Sequence, residues 1–216
     1  PNGELIPLSE QVFFNVKETT WSPNSTRAVL EYPDGSNILY DFDTKKQITL
    51  AKHWQEFSFS PDGNTVAAKS LGISDDTRWL VSVDTEGKNI QLIEPLGANA
   101  DLVDVNWSPN RQVVAFARTG EALGIDREEI LLVGQNGENF KSLVVEGKGF
   151  TGSWSPTGEK LLYSTYSNRS DFKPELWITD ATVDTIGGNR RPLSVNTWPE
   201  KCTFGSDRYV YCAVPR

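Results

Sequence analysis

The sequence predicts an all-β protein folded as a β-propeller of four-stranded antiparallel blades, and three observations carry this prediction. A phrase of an aromatic residue, Ser, Pro and a turn residue recurs at 21–24, 59–63, 107–110 and 154–158, at gaps of 38, 48 and 47 residues. Short apolar runs separated by turn residues follow each copy, and helix signals are almost absent. A repeat of this length built from short strands is typical of a radial array of small sheets.

The second repeat shows the unit most clearly. Residues 55–60 alternate in polarity and predict a first strand, and Pro61–Asn64 supply the residues of a tight turn. The second, third and fourth strands are predicted at 65–69, 78–84 and 89–93. In the other repeats, third strands are predicted at 37–40, 129–133 and 175–179, and fourth strands at 47–50, 140–143 and 191–194.

We predict a single propeller domain over 1–216. Its four complete blades are predicted at about 10–50, 55–94, 103–144 and 150–194.

Partial blades are predicted at both ends. Residues 201–214 contain a degenerate copy of the phrase, Phe204-Gly205-Ser206-Asp207, and are predicted to provide two inner strands of a further blade. Residues 4–9 are similar to a fourth strand and not to a first. Two models fit: a five-bladed ring whose termini share a blade, or part of a six- to seven-bladed propeller that continues past Arg216. We favour the second, because an unpaired strand edge promotes aggregation.

Composition limits the function classes. The chain has 216 residues, of which 38% are hydrophobic and 23% charged, as expected for one ordinary globular domain. Its net charge of -8 and the lack of a basic stripe argue against a nucleic-acid partner. No apolar run approaches the roughly 18 residues of a membrane-spanning helix.

The two cysteines, Cys202 and Cys212, lie on either side of the turn 205–208. In a tight hairpin they would face each other across the strands, where Cα atoms approach to about 4.5 Å. This distance falls within the disulfide range of about 4.4–6.8 Å. We therefore expect a disulfide and an oxidising, extracytoplasmic compartment. The alternative is a pair of reduced, half-buried residues.

The full phrase, an apolar residue, any residue, Trp or Phe, Ser, Pro, Asp or Asn and Gly, precedes a short apolar strand and then a segment such as Leu176-Trp177-Ile178-Thr179-Asp180. This pattern resembles the TolB-type, WD-like β-propeller repeat over residues 9–216. Similar blades occur in the propeller of the prolyl oligopeptidase family. The resemblance implies a fold that is usually six-bladed and acts in binding, while the motif residues shape turns and core.

Five aromatic residues occupy equivalent positions in the repeat. Such a ring could form sugar-binding platforms, but we expect repeated equivalent positions to serve packing between blades. These structural anchors are Trp21, Phe59, Trp107, Trp154 and Phe204.

The connections between strands 2 and 3 and between blades should share one face of the propeller, and they differ from repeat to repeat. Variable loops on a rigid scaffold commonly carry recognition, and their carboxylates would attract cationic or metal-bridged partners. The alternative is that these are solvated loop charges. The candidate partner-binding residues are Asp75, Asp76, Glu121, Asp126, Tyr166, Asn168, Arg169 and Asp171. Asn168 also begins the glycosylation sequon that we expect to be exposed.

Catalytic signatures are weak. No Gly-x-Ser-x-Gly nucleophile elbow occurs, and the lone His53 cannot build a typical zinc site or triad. Glu128-Glu129 invites comparison with the double-Glu motif of propeller peptidases, but it leads directly into a strand and is expected to be a strand-edge charge. Asp41–Asp43 and Asp75-Asp76 lack the ligand spacing of a calcium loop. We predict no cofactor and no metal.

The sequence thus favours a non-catalytic, extracytoplasmic scaffold that binds a protein or a cell-surface polymer through its long loops. One alternative is a structural subunit of a surface assembly or filament, formed by self-association through the exposed ends. The other is a glycan-active enzyme that uses paired carboxylates and requires two acidic side chains in the central tunnel.

Overall fold

The computed structural model describes residues 7–138 and 140–215. It contains 18 β-strands and four short 3-10 helices in this part of the chain. The strands form four antiparallel sheets of four strands and one of two, each in chain order, arranged as the blades of a β-propeller. The predicted all-β fold is therefore confirmed. Within the described ranges, no helix has the length and apolarity to cross a membrane.

Each blade is one meander. Blade 1 contains β1 (Glu18–Trp21), β2 (Arg27–Glu31), β3 (Asn37–Asp41) and β4 (Lys46–Leu50). Blade 2 contains β5 (Trp54–Phe59), β6 (Thr65–Leu71), β7 (Arg78–Asp84) and β8 (Gln91–Pro95). Blade 3 contains β9 (Val103–Val105), β10 (Ala115–Ala117), β11 (Arg127–Val133) and β12 (Leu143–Glu146). Blade 4 contains β13 (Lys148–Trp154), β14 (Lys160–Tyr166), β15 (Glu175–Asp180) and β16 (Arg191–Pro192). The partial blade 5 contains β17 (Cys202–Ser206) and β18 (Tyr209–Cys212).

Strand positions differ from the prediction mainly in the fourth strands. The fourth strand predicted at 140–143 is β12, which begins at Leu143 because its pairing with β11 buries Leu143 and Val145. The strand predicted at 191–194 is only Arg191–Pro192, because Ser194 has a left-handed backbone with φ of 57° and the Leu176 N–H bonds the Val195 carbonyl beyond it. Most of the outer strand predicted over 4–9 lies outside the described residues, and Pro7–Ser9 form no strand.

Apolar side chains on facing sheets form the core between successive blades. Val29 and Phe59 belong to the cluster between blades 1 and 2, and Phe116 and Tyr163 to that between blades 3 and 4. Ala67 lies in the cluster between blades 2 and 3. The hydrophobic residues thus hold neighbouring blades face to face, as in other propellers.

The serine of the repeated phrase fastens the turn between strands 1 and 2. The Ser22 hydroxyl donates to Asn24 Oδ1 at 2.7 Å and accepts from the Arg27 N–H at 3.0 Å. Ser108 repeats both bonds with Asn110 and Val113, at 2.7 and 2.9 Å. Because these hydroxyls are buried, the two bonds satisfy groups that would otherwise be costly to desolvate.

The turns between strands 1 and 2 also contact each other from one blade to the next. In each contact, a polar group of one turn, or of the strand that follows it, makes a hydrogen bond to the equivalent turn of the next blade. These contacts are Arg27 Nη1 to Gly63 O at 3.1 Å, Asn110 Nδ2 to Gly158 O at 3.2 Å and Thr157 Oγ1 to Asp207 Oδ1 at 2.8 Å.

The repeated aromatic residues pack between blades with one clear exception. Phe59, Trp107 and Trp154 are buried, and the Trp154 indole stacks on Phe116 at 5.0 Å between ring centroids. Phe204 is half-buried in the contact between blades 4 and 5. Trp21 does not fit the predicted core role, because it is 45% exposed.

The expected disulfide joins Cys202 and Cys212, with a Cα–Cα distance of 4.0 Å. The two residues are direct cross-strand partners in the β17–β18 hairpin. This confirms the register inferred from the turn between them.

Candidate functional site

The antiparallel meander places the 2–3 loops and the linkers between blades at one end of the molecule. We call this end the long-loop face and define it by the 2–3 loops and the linkers between blades. The loops are 32–36, 72–77, 118–126 and 167–174, and the linkers are 51–53, 96–102, 147 and 193–201. All eight predicted partner-binding residues lie in these loops or at their ends.

The 2–3 loop of blade 2 contains Asp75 and Asp76 in a 3-10 turn. The Asp75 carboxylate lies 2.8 Å from the Arg78 guanidinium, and the Asp76 carbonyl accepts from the Trp79 indole N–H at 3.2 Å. These contacts brace the loop and leave the side chain of Ile73 fully exposed. The predicted acidic pair therefore shapes the loop, while an apolar residue stands outermost.

The 2–3 loop of blade 3 is anchored by Glu129. Its carboxylate accepts from the Ser142 hydroxyl at 2.5 Å and from the Glu121 N–H at 2.9 Å. The Ser142 bond, followed by the Glu121 bond, lowers the pKa of Glu129 below its ordinary value. Glu129, one residue of the predicted strand-edge pair Glu128-Glu129, thus holds this loop in place.

Asp126 closes the same loop through its backbone. Its carbonyl accepts from the Gly147 N–H at 2.7 Å, which ties the loop to the linker before blade 4. Between the two tethers, Leu123 and Ile125 are exposed.

The 2–3 loop of blade 4 carries Tyr166, Asn168, Arg169 and Asp171. Asn168 and Arg169 are exposed, and the Arg169 guanidinium lies 3.8 Å from the Glu146 carboxylate of blade 3. The exposed position of Asn168 agrees with the prediction for its sequon.

This loop holds Phe172 outward by an unusual backbone. Asp171 and Phe172 both have left-handed conformations, with φ of 53° and 57°. The Phe172 N–H donates to the Ser167 carbonyl at 2.9 Å, and the Ser170 hydroxyl donates to the Lys173 carbonyl at 2.7 Å. Because left-handed conformations are strained for residues other than Gly, these bonds are what hold the loop in this shape.

Exposed apolar side chains are therefore a shared property of the long-loop face. Single exposed apolar residues are ordinary, but several on neighbouring loops of one face mark an interaction surface. They are Ile73, Leu102, Leu123, Ile125, Tyr166, Phe172 and Trp198. The turns of the opposite face carry mainly polar residues, with Ile90 as an exception.

The first strand of every blade begins at the long-loop face and lines the central tunnel. A cavity of about 380 Å³ lies there, lined by acidic residues of blades 1, 2 and 3 and of the linker before blade 5, with apolar lining from Phe57 and Phe116. The acidic residues are Glu18, Glu56, Asp104 and Glu200.

Glu56 enters the tunnel at a break in strand pairing. The β5–β6 register shifts between Gln55 and Ser58, and Glu56 has a positive φ of 55°. Its carboxylate lies 2.5 Å from Lys69 Nζ, which also donates to the carbonyls of Ala100 and Val103. Lys69 is buried, so this complete set of partners offsets the cost of desolvating its charge.

Burial raises the pKa of the Asp104 carboxyl above its ordinary value. Arg118, at 3.6 Å, opposes this effect, and the negative charge of Glu56 adds to it. The tunnel thus holds two carboxyl groups, those of Glu56 and Asp104, that each have a basic partner.

His53 and the possible metal ligands were the other candidates for a catalytic role. His53 is exposed, and its carbonyl accepts from the Leu71 N–H at 2.8 Å in a linker. Over the ranges 7–138 and 140–215, no three His, Cys, Asp or Glu side chains are grouped closely enough to hold a metal ion.

Comparison with solved structures places the chain among β-propellers. The β-propeller domain of the Trilobed protease from Pyrococcus furiosus superposes with a TM-score of 0.63 at 13% identity, over 94% of this chain and 64% of that one. An acylaminoacyl peptidase from Pyrococcus horikoshii gives 0.59 at 12% identity, over 86% and 33%. An oligogalacturonate lyase in complex with manganese gives 0.54 at 17% identity, over 86% and 55%.

These similarities show the fold alone, because the identities are low. The chain spans less than two thirds of the length of each of these three proteins. No family model matches the sequence, and no curated protein matches it. The resemblance to the TolB-type repeat therefore stays a prediction.

Proposed function

We propose that this chain is a non-catalytic, extracytoplasmic propeller that captures a polypeptide partner on its long-loop face. The observation that carries the proposal is that three successive blades hold an apolar side chain outward on their 2–3 loops. Ile73, Ile125 and Phe172 are all largely exposed. Exposed large apolar groups on neighbouring loops are retained in proteins that bury them against a partner.

The order of the loops supports this proposal. Each 2–3 loop of blades 2 to 4 is tied by backbone or ionic contacts, as at Asp75, Asp126 and Arg169. A binding surface that is already ordered loses little conformational entropy when the partner arrives. The strain at Asp171 and Phe172 fits the same role, since strained backbone concentrates at functional sites.

Charge indicates the chemistry of the partner. The chain carries a net charge of -8, and acidic residues line the mouth of the tunnel that opens on this face. A polypeptide with basic and aromatic side chains would match both the carboxylates and the apolar tips. Complementary charge would also speed its association at low salt.

The extracytoplasmic location rests on the disulfide. Cys202 and Cys212 form the one disulfide within the described residues, and structural disulfides persist mainly in oxidising compartments.

Selection from a random peptide display library on the immobilised chain tests the proposal. We expect enrichment of peptides that combine Lys or Arg with an aromatic residue. Ile125→Asp and Phe172→Asp should each weaken binding of the enriched peptides at least about tenfold, the effect of losing a central contact worth 1.4 kcal/mol. Ile90→Asp, on the opposite face, is the matched control and should bind as the unsubstituted chain does.

Two results would contradict the proposal. One is the absence of any enrichment over a control protein of similar charge. The other is enrichment of peptides whose binding tolerates both long-loop substitutions in variants that melt as the original chain does.

A second candidate, a glycan-active enzyme, is favoured by the tunnel carboxyls. Glycoside cleavage needs a protonated carboxyl beside an ionised one, and burial raises the pKa of Asp104 near Glu56. One similar structure is an oligogalacturonate lyase. Release of new reducing ends from an oligosaccharide panel, lost in Asp104→Asn, would support this candidate. If no oligosaccharide of the panel gives new reducing ends, the enzyme candidate is rejected and the binding function is retained.

A further inference from the structure

Another cavity opens on the long-loop face where blade 1 meets blade 2, and we call it the joint cavity. Its volume is about 380 Å³, and its walls come from the end of β2 and the starts of β1, β3 and β5, within two complete blades. Its lining includes three carboxylates and two ammonium groups. They belong to Glu18, Glu31, Glu56, Lys17 and Lys52.

Two of these charges already have partners inside the protein. The Glu56 carboxylate lies 2.5 Å from Lys69 Nζ, and Lys52 Nζ lies 3.6 Å from the Asp34 carboxylate. The charges that remain in the joint cavity are therefore two carboxylates and one ammonium group.

Glu31 is the unusual residue of this cavity. It lines the cavity although it is only 8% exposed, and among the described residues its carboxylate has neither a hydrogen-bond donor nor an ion-pair partner. Its direct cross-strand partner, Glu18, carries the same charge. Burial, followed by the charge of Glu18, raises the pKa of Glu31, and Lys17 opposes this effect only in part. A buried carboxylate without a partner is costly, so a cationic ligand would supply what the protein leaves out.

Aromatic side chains stand beside these carboxylates. Trp54 lines the joint cavity and is 5% exposed, and within 7–138 and 140–215 no acceptor takes its indole N–H. Tyr32 lines the same cavity. Ring faces attract organic cations, and a planar guanidinium both stacks on aromatic rings and donates to more than one carboxylate.

The walls of the joint cavity are fixed by the joint itself. Asn37 is 2% exposed, and its Nδ2 donates to the carbonyls of Ala51 at 3.0 Å and Trp54 at 2.9 Å. These bonds tie β3 to the linker and to β5, so the cavity does not have to be assembled when a ligand arrives.

We propose that the joint cavity binds a guanidinium group on an alkyl chain, held between the carboxylates of Glu18 and Glu31. The guanidinium provides the positive charge and the donors that Glu31 lacks. An Arg side chain of the polypeptide partner is one source of this group, and in that respect the site rests on the proposed function. A small free guanidinium compound is the other source.

NMR titration of the full chain with N-acetyl-arginine amide tests the proposal. We expect saturable binding, and no binding of N-acetyl-citrulline amide, which has the same shape without the charge. Glu31→Gln should weaken binding of the arginine derivative at least about tenfold, because it removes a hydrogen-bonded charge pair. Glu86→Gln, an exposed carboxylate on the opposite face, is the matched control and should bind normally. Circular dichroism confirms that both variants are folded.

Three results would overturn the proposal: no binding of the arginine derivative, equal binding of the citrulline derivative, or full affinity in Glu31→Gln.

Two further ligands identify the source of the guanidinium. Library-selected peptides that lose at least about tenfold in affinity to Glu31→Gln would show that an Arg side chain enters the joint cavity. Agmatine binding that depends on Glu31, together with selected peptides that ignore the substitution, would assign the cavity to a free guanidinium compound. In that case the proposed function is judged by the long-loop substitutions alone, so the two proposals can fail separately.

Discussion

At the scale of single residues, the same amino-acid type has different roles according to which blade stands beside it. Trp154 stacks on Phe116 and donates its indole N–H to the Asn106 carbonyl at 3.1 Å. Trp21 occupies the equivalent place in the repeat but stacks at 5.1 Å on Phe42 of its own blade. The neighbouring blade, and not the local phrase, decides whether the ring is part of the core.

This difference predicts unequal costs of substitution. Trp154→Ala should lower the free energy of unfolding by about 3–5 kcal/mol, as large-to-small changes in cores do. Trp21→Ala should cost about 1 kcal/mol or less, because much of the ring is already in water. Denaturant titration at low protein concentration measures both values. Equal losses for the two variants would show that the assigned packing is wrong.

Glu31 illustrates an electrostatic cost within a blade. It is a direct cross-strand partner of Glu18 in the β1–β2 pair. Burial first, and then the charge of Glu18, raises the pKa of Glu31 above its ordinary value. The protonated form is thus favoured in the folded state, and stability is lost as the pH rises from the unfolded to the folded pKa.

Removing this charge should therefore stabilise the protein at neutral pH. Glu31→Gln should add about 0.5 kcal/mol, the usual size of a like-charge cross-strand effect. In a domain of this length, this corresponds to a rise of about 1–2 °C in the melting temperature. The gain should disappear below the ordinary carboxyl pKa of about 4.3, where wild type and variant are both neutral. A gain that persists in acid would mean that its cause is not the charge.

At the scale of elements, the β17–β18 hairpin is the least supported sheet. It has two strands instead of four, and blade 4 covers one of its faces through Cys202, Phe204, Val210 and Cys212. In repeat architectures, stability is close to a sum of nearest-neighbour terms, so an end unit can open without its neighbours. The disulfide closes a short loop in this end unit.

Loss of the disulfide should act locally. Replacing Cys202 and Cys212 with Ser should lower the opening free energy of the hairpin by about 2–3 kcal/mol. Amide hydrogen exchange in β17 and β18 should then be faster by roughly 30- to 150-fold. Exchange in β13 to β15 serves as the internal control and should stay nearly unchanged. An equal loss of protection in every blade would contradict the view of the hairpin as a separable end unit.

The elements also show which parts of the fold were accessible to sequence reasoning. The turn after Ser60 is encoded locally. The Ser60 hydroxyl bonds only Asp62 and the Thr65 N–H, both within five residues, and Gly63 supplies the positive φ that the turn needs. The disulfide between Cys202 and Cys212 was equally predictable, because the two residues lie symmetrically on either side of a tight turn. The start of β12 was not, since its register depends on which face of β11 is buried.

At the scale of the whole molecule, the sequence predicted which loops share one face, and the binding role of that face stays a prediction. The variable 2–3 loops were recognisable by their length, and their charged residues were predicted as partner contacts. In the structure Asp75 and Arg169 have ionic partners, while Ile73, Ile125 and Phe172 stand outermost. An apolar residue within a polar loop was the signal that could have identified them.

The acidic tunnel could not be read from the sequence at all. Glu56 reaches it through a break in strand pairing, which no local pattern of polarity encodes. Asp104 comes from blade 3 and Glu200 from the linker before blade 5, and only the arrangement of the blades around a common axis brings them to one cavity. Tertiary arrangement, and not local propensity, therefore decides which carboxyl groups meet.

If the long-loop face is the binding surface, as we propose, amide hydrogen exchange with and without a selected peptide should locate the contact there. We expect new protection in 72–77, 118–126 and 167–174, and unchanged exchange in the opposite turns at 22–26, 60–64 and 108–112. Protection confined to those turns, or to the outer strands β4 and β8, would contradict it.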